Sequence, residues 1–227
     1  MIEINNLTKY YGFEQVLNAI YLTFKEGSIY GIVGANGAGK TTLFKCMTGI
    51  EIYKGEIFYD GGILKNVLGF LQTEPYFFSK ITGYEYLKLL CNARQISLNN
   101  VEEKNIFDLP LNRYASNYST GMKKKLALTG ILLQKNEVFL LDEPFNGVDL
   151  QSNIIIKEII LKLKEKGKTV IISSHIFSIL RETCDILHLI KDGEISKTKN
   201  SFDEIETEML EFERKNKFQQ IDLLVDY

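Results

Sequence analysis

The sequence predicts an α/β fold built on a largely parallel sheet. Short β-branched apolar runs alternate with amphipathic helical stretches along the chain, and a glycine-rich stretch, residues 34–41, joins an apolar run to a helical one. Size and composition agree. The chain has 227 residues, 45% hydrophobic and 25% charged, which suits one domain with room for an inserted sub-domain and argues against disorder or low complexity.

The elements follow from spacing. Residues 2–4, 20–24 and 28–33 read as strands. Residues 41–48 read as a helix, because Leu43, Cys46, Met47 and Ile50 recur at three- and four-residue intervals. Strands at 56–59 and 67–71 are separated by the turn Asp60-Gly61-Gly62. Residues 82–93 place Tyr86, Leu87, Leu90 and Cys91 on one helical face, and the polar stretch 97–104 then breaks the periodicity. The alternation restarts with a helix at 121–133, a strand at 138–141, a strongly apolar helix at 154–163, a strand at 168–173 and a short helix at 176–183. Residues 186–190 and 194–197 form a hairpin across Asp192-Gly193. In the tail, Phe202, Ile205, Met209 and Phe212 keep helical spacing.

Charge, cysteine and hydropathy narrow the function classes. Lys plus Arg number 27 and Asp plus Glu 29, a net charge of -2, which argues against binding duplex DNA mainly through basic charge. Cys46, Cys91 and Cys184 are far apart and odd in number, so neither a disulfide framework nor a zinc site is expected. Met1-Ile2-Glu3-Ile4-Asn5 has no basic or apolar leader character, and no run of about 18 apolar residues occurs, so neither a signal peptide nor a membrane span is expected.

Gly34-Ala35-Asn36-Gly37-Ala38-Gly39-Lys40-Thr41 fits G-x-x-x-x-G-K-[ST], after an apolar strand and at the start of a helix. Glycines there allow close approach and positive φ, and the amides from Gly37 to Thr42 point at an anion at a helix N-terminus. Lys40 is expected to reach the β- and γ-phosphates of a nucleotide, and Thr41 to place its hydroxyl on Mg²⁺. The apolar run 138–141 ends in Asp142-Glu143. The first acid is expected to hold Mg²⁺ and the second to act as general base or to polarise the attacking water. Neighbouring side chains on a strand diverge, so bending at the strand end must bring both acids to the site. Another apolar strand ends in Ser173-Ser174-His175, which puts His175 on the same rim, where a neutral imidazole can hydrogen-bond a phosphate and orient water. His188, inside a strand, reads as structural.

Asn117-Tyr118-Ser119-Thr120-Gly121-Met122-Lys123-Lys124-Lys125-Leu126 resembles the signature motif of the nucleotide-binding domain of ABC (ATP-binding cassette) transporters, in a Y-S-x-G-M form. Leu141 to Asp149 resembles that family's aspartate–glutamate strand end and D-loop, His175 its switch histidine, and Tyr11 the aromatic that stacks on adenine. The resemblance spans about residues 1–200. It implies a phosphate-loop NTPase of the ABC ATPase type: a parallel-sheet core (1–72 and 134–200) with an N-terminal antiparallel β sub-domain, a short inserted helical sub-domain (73–133) and a helical tail (201–227). It further implies ATP and Mg²⁺, bound by Tyr11, Asn36, Gly37, Ala38, Gly39, Lys40, Thr41, Thr42, Asp142 and, from a second cassette, Ser119, Gly121 and Asp149. The implied assembly is a head-to-tail homodimer or heterodimer with a separate transmembrane permease subunit, peripheral on the cytoplasmic face of the cell membrane, with no direct nucleic-acid contact. At the helix that the signature opens, Lys123, Lys124 and Lys125 add cations at the positive dipole end, which a bound anion would relieve.

Three departures from the family pattern stand out. Thr120 replaces a glycine of the commoner S-G-G form. An ungapped reading puts Thr73 at the Q-loop glutamine and Gln72 one before it; Gln72 is the expected Mg²⁺ contact if the strand end bulges, and Thr73 reaches less far. The segment between Gln72 and the signature has only about 45 residues, which implies a reduced groove for a partner's coupling helix. Two other functions remain open. One is a soluble ABC ATPase acting on ribosomes or DNA, the other a nucleotide sensor without turnover.

Overall fold

The computed structural model describes residues 1–175, 177–199 and 202–207. The elements run β1 (Ile2–Tyr11), β2 (Glu14–Phe24), β3 (Ile29–Val33), α1 (Lys40–Met47), β4 (Lys54–Tyr59), β5 (Leu68–Leu71) and α2 (Gly83–Ala93). The second half adds α3 (Thr120–Leu133), β6 (Val138–Asp142), α4 (Leu150–Glu165), β7 (Thr169–Ser173), α5 (Phe177–Thr183), β8 (Ile186–Lys191) and β9 (Glu194–Lys199).

Two sheets organise them. One is antiparallel, in the order β2-β1-β4; the other runs β5-β6-β7-β3-β8-β9, parallel except for β9. Every residue of β3, β6 and β7 is buried, as expected for parallel strands covered on both faces. Strand alternation divides them between two cores. Ile29, Val33, Phe139, Leu141, Val170 and Ile172 face the helical layer with Leu87, Leu128 and Ile160. Tyr30, Ile32, Val138, Leu140 and Ile171 face the other way, onto α1 and the antiparallel sheet through Phe44, Ile4 and Ile20. Among the described residues, no helix is long and apolar enough to cross a membrane.

β1 and β2 are longer than the 2–4 and 20–24 read from alternation. Register shifts interrupt β1 three times, and Asn6 and Ala19 have φ of 53° and 45°. Each such bulge flips the inward face and so scrambles the period of two. Helix α4 starts at Leu150, four residues before the apolar run, because the Asp149 side chain accepts from the Ser152 amide and caps a polar first turn. The 82–93 helix is present with a reciprocal capping box between Thr82 and Glu85. Hairpin β8–β9 turns at Asp192-Gly193, with φ of 49° and 77°, as a two-residue primed turn requires. In the tail, residues 202–207 are helical and Ile205 is buried; Met209 and Phe212 lie outside the described residues.

Candidate functional site

The carboxyl ends of β3, β6 and β7 share one rim of the parallel sheet, where ligands of such sheets bind. From β3 the chain enters the loop 34–39 and then α1. Gly39 sits immediately before the helix with φ of 107°; a Cβ there would lie 2.6 Å from Leu17 Cδ2 and 3.1 Å from the Val16 carbonyl, so both conformation and space demand glycine. Lys40 is buried, and its ammonium donates to the carbonyls of Gly34 (2.7 Å) and Ala35 (3.0 Å). Burial pushes its pKa down, opposed by the charges of Glu143 and Asp142.

Asp142 ends β6 and is 1% exposed. Oδ2 accepts from the hydroxyls of Thr41 and Thr73, each at 2.8 Å, and Oδ1 accepts from the Ser173 hydroxyl. Glu143 is where the strand bends: its φ is 50°, the left-handed region, which brings a second carboxylate to the same side as the first. The Glu143 amide donates to both the carbonyl and the hydroxyl of Ser173, each at 3.1 Å. His175 Nδ1 lies 2.8 Å from Glu143 Oε2. A 300 Å³ cavity gathers Lys40, Thr41, Thr73, Asp142, Glu143 and His175. A larger one of 460 Å³ lies along residues 34–38 beside β2 and the β8–β9 turn, and none of those six side chains lines it.

The oxygen atoms meeting at Asp142 suit a hard dication. Among the described residues there is no cluster of three or more His, Cys, Asp or Glu side chains, so a dedicated all-protein cage is absent. One carboxylate and two threonine hydroxyls instead fit Mg²⁺, which commonly takes few protein ligands and completes its shell with phosphate and water.

Thr73 rather than Gln72 reaches the site. β5 ends at Leu71, the two following side chains diverge, and Gln72 is exposed and lines neither cavity. Asn36, Gly37, Gly39 and Thr42 line the 300 Å³ cavity, and Ala38 the larger one. Tyr11 lines neither. The Lys9 ammonium lies 4.6 Å from its ring centroid. Ser173 and Asn146 were not singled out from the sequence. A serine at the end of an apolar strand has no pattern of its own, and the role of Ser173 follows from its pairing opposite Asp142.

Ser119, Gly121 and Asp149 lie apart from this cavity. Ser119 caps α3, accepting from the Met122 amide at 3.2 Å. A Cβ on Gly121 would come 2.7 Å from the Gly147 carbonyl, so the start of α3 rests directly on the loop after β6. The basic run does not present three cations to an anion. Lys124 is 1% exposed and donates to the carbonyls of Glu143 and Asn146, and Lys125 pairs with Asp149 (3.2 Å) and Ser152. Buried carbonyls need donors more than a helix end avoids cations. The Asp149 carboxyl is held well below the usual range by the amide and hydroxyl of Ser152, then by Lys125. His188 is buried, its ring stacked at 5.7 Å on Tyr30 and its Nδ1 2.8 Å from Thr198 Oγ1, as a structural residue should be.

Comparison with known proteins places this geometry. The model of the ABC transporter family matches residues 17–146. The bacitracin transport ATP-binding protein BcrA of Enterococcus faecalis is 34% identical over 217 residues, covering 88% of this chain and 69% of that protein. The lantibiotic transport ATP-binding protein SrtF of Streptococcus pyogenes is 31% identical over 207 residues, covering 86% and 89%. Two solved folds superpose with TM-scores of 0.79. The ATP-binding subunit of an ABC transporter is 24% identical and covers 92% of this chain and 93% of its own; a dimeric ATP-binding cassette in a post-hydrolysis state with ADP and Pi is 23% identical and covers 88% and 98%. The chain thus belongs to the ABC transporter family, as an ATP-binding subunit that hydrolyses ATP.

Proposed function

We propose that the chain works as one of two cassettes that close head-to-tail over two Mg-ATP and drive a separate membrane-spanning subunit, from the cytoplasmic face of the cell membrane. The observation that carries this is a split site. Lys40, Asp142 and Glu143 line one cavity, whereas Ser119 and Gly121, the start of the signature helix, lie outside it. A helix N-terminus with free amides is suited to phosphate, and the chain does not turn it toward its own phosphate loop. A second cassette supplies the missing half. The homologous BcrA and SrtF, named for bacitracin and lantibiotic transport, support a peptide antibiotic as the cargo of the membrane partner.

In this reading Lys40 leaves the carbonyls of Gly34 and Ala35 for the β- and γ-phosphates, while the loop amides cradle the β-phosphate. Thr41, Thr73 and Asp142 would hold Mg²⁺, which when bound would supply positive charge against the negative charge of the transferred phosphoryl. Glu143 draws a proton from, or polarises, the attacking water, and His175, 2.8 Å from its Oε2, orients that carboxylate. Tyr11 stacks on the base once the Lys9 ammonium moves off its ring.

The test is Glu143→Gln. The variant should bind Mg-ATP, dimerise, and turn over at least ~100-fold more slowly than the parent. Tagged and loaded with Mg-ATP in extract with solubilised membranes, it should retain a polytopic membrane protein. Parental turnover would remove Glu143 from the chemistry; ribosomes or DNA-associated proteins in place of a membrane protein would move the chain to the soluble branch of the family.

A further inference from the structure

We infer that Lys124 is a positioning residue for ATP hydrolysis, fixing the backbone of Glu143 from inside the signature helix. The inference rests on the role proposed for Glu143. Lys124 occupies the buried stripe of α3 with Ala127, Leu128 and Ile131, at intervals of three, four and seven, where a packed helix ordinarily carries an apolar residue. Its Nζ donates to the carbonyls of Glu143 at 2.7 Å and Asn146 at 2.8 Å. The Glu143 carbonyl also accepts from the Asn146 amide at 3.1 Å, so the ammonium closes a short turn whose first residue is the carboxylate itself.

That residue needs such support. A glutamate at φ 50° is in a conformation that L residues avoid, and it persists only where surrounding contacts over-determine it. Ser173 holds the Glu143 amide from β7, and Lys124 holds its carbonyl from α3. The same helix meets this loop twice more, through Gly121 against the Gly147 carbonyl and through Lys125 with Asp149. The segment 143–149 is thereby strapped to the first two turns of α3. A displacement of the N-terminus of α3, the end that takes the other cassette's ATP in the proposed dimer, pulls on the backbone of this chain's own Glu143. The ordinary alternative is that Lys124 only satisfies two buried carbonyls. The two roles differ in what its removal does to turnover.

The experiment compares Lys124→Met, of similar length but without donors, with Lys124→Gln, a neutral donor, in the full-length chain with Mg-ATP. For Lys124→Met, kcat should fall at least ~30-fold while KM for ATP moves less than about threefold, and Lys124→Gln should recover about tenfold of the loss. On a Glu143→Gln background, Lys124→Met should lower the residual rate by less than about twofold, because both changes act through one group. Parental kcat in Lys124→Met, a loss appearing mainly in KM, or full additivity with Glu143→Gln would each overturn the inference. If Lys124→Met does not fold, Lys124→Gln decides alone: a kcat about threefold below the parent at parental KM supports the inference, and a parental kcat or a loss appearing mainly in KM overturns it. Parental turnover in Glu143→Gln would instead overturn the role of Glu143, whereas a silent Glu143→Gln beside a fully active Lys124→Met refutes the role of Lys124 only.

Discussion

Ser173→Ala should cost the protein about 2–4 kcal/mol, although it removes one oxygen atom and leaves almost no cavity. The Ser173 hydroxyl is fully buried and does two things at once: it donates to Asp142 Oδ1 and accepts the Glu143 amide at 3.1 Å. The bond to the carboxylate is of the charged kind, worth ~1.5–3 kcal/mol. The bond from the Glu143 amide is worth less, on the order of 0.5–1 kcal/mol, because that amide keeps the Ser173 carbonyl at 3.1 Å as a second acceptor. At this chain length each kcal/mol shifts the melting temperature by roughly 2–4 °C, so Ser173→Ala should melt about 5–15 °C below the parent. Differential scanning calorimetry without nucleotide measures this, and the rate of Mg-ATP turnover should fall as both acids loosen. A melting temperature within about 2 °C of the parent would refute the reasoning, since it would mean the two carboxylates are held without this hydroxyl.

Thr73→Val should raise the Mg²⁺ concentration for half-maximal turnover severalfold, whereas Gln72→Ala should leave it unchanged; titrating Mg²⁺ at fixed ATP separates the two, and the reverse order would return the glutamine to the site. Burial lowers the pKa of His188 to about 4, so between about 6.5 and about 4 the unfolded chain binds a proton that the folded chain refuses. That difference, worth up to ~3 kcal/mol, means stability falls as pH drops through this window and the loss is complete below about 4. His188→Phe keeps the stack on Tyr30 without the proton; urea melts from pH 7 to 4 should show a shallower decline for the variant, and parallel declines would exclude His188 as the source.

The phosphate loop, the acid pair and His175 were legible because each is a short pattern at the end of an apolar run, and in a parallel sheet those ends share a rim. Tertiary geometry decided the rest. Whether Gln72 or Thr73 meets Asp142 depends on where β5 stops, and the sequence there, Leu71-Gln72-Thr73, is compatible with either. Lys124 hides in a run of three lysines that reads as a cationic helix start suited to an anion. Its spacing from Ala127, Leu128 and Ile131 was the available signal, and charge masked it. The bulges of β1 and β2 erase the alternation that reveals a strand, so their ends were legible and their middles were not.

The place of β3 in the sheet has a consequence for how the protein is made. Ile29 pairs with Val170, about 140 positions later, and on its other side Tyr30 pairs with Ile186. A ribosome completes the phosphate loop early, yet the strands that flank its supporting strand emerge only after most of the chain has been synthesised. Until then β3 is an apolar strand with two unpaired edges, prone to mispairing with other nascent chains. A translation product arrested before β8 therefore leaves one edge of the phosphate-loop strand unpaired and is a candidate for proteolysis rather than for a partly working enzyme.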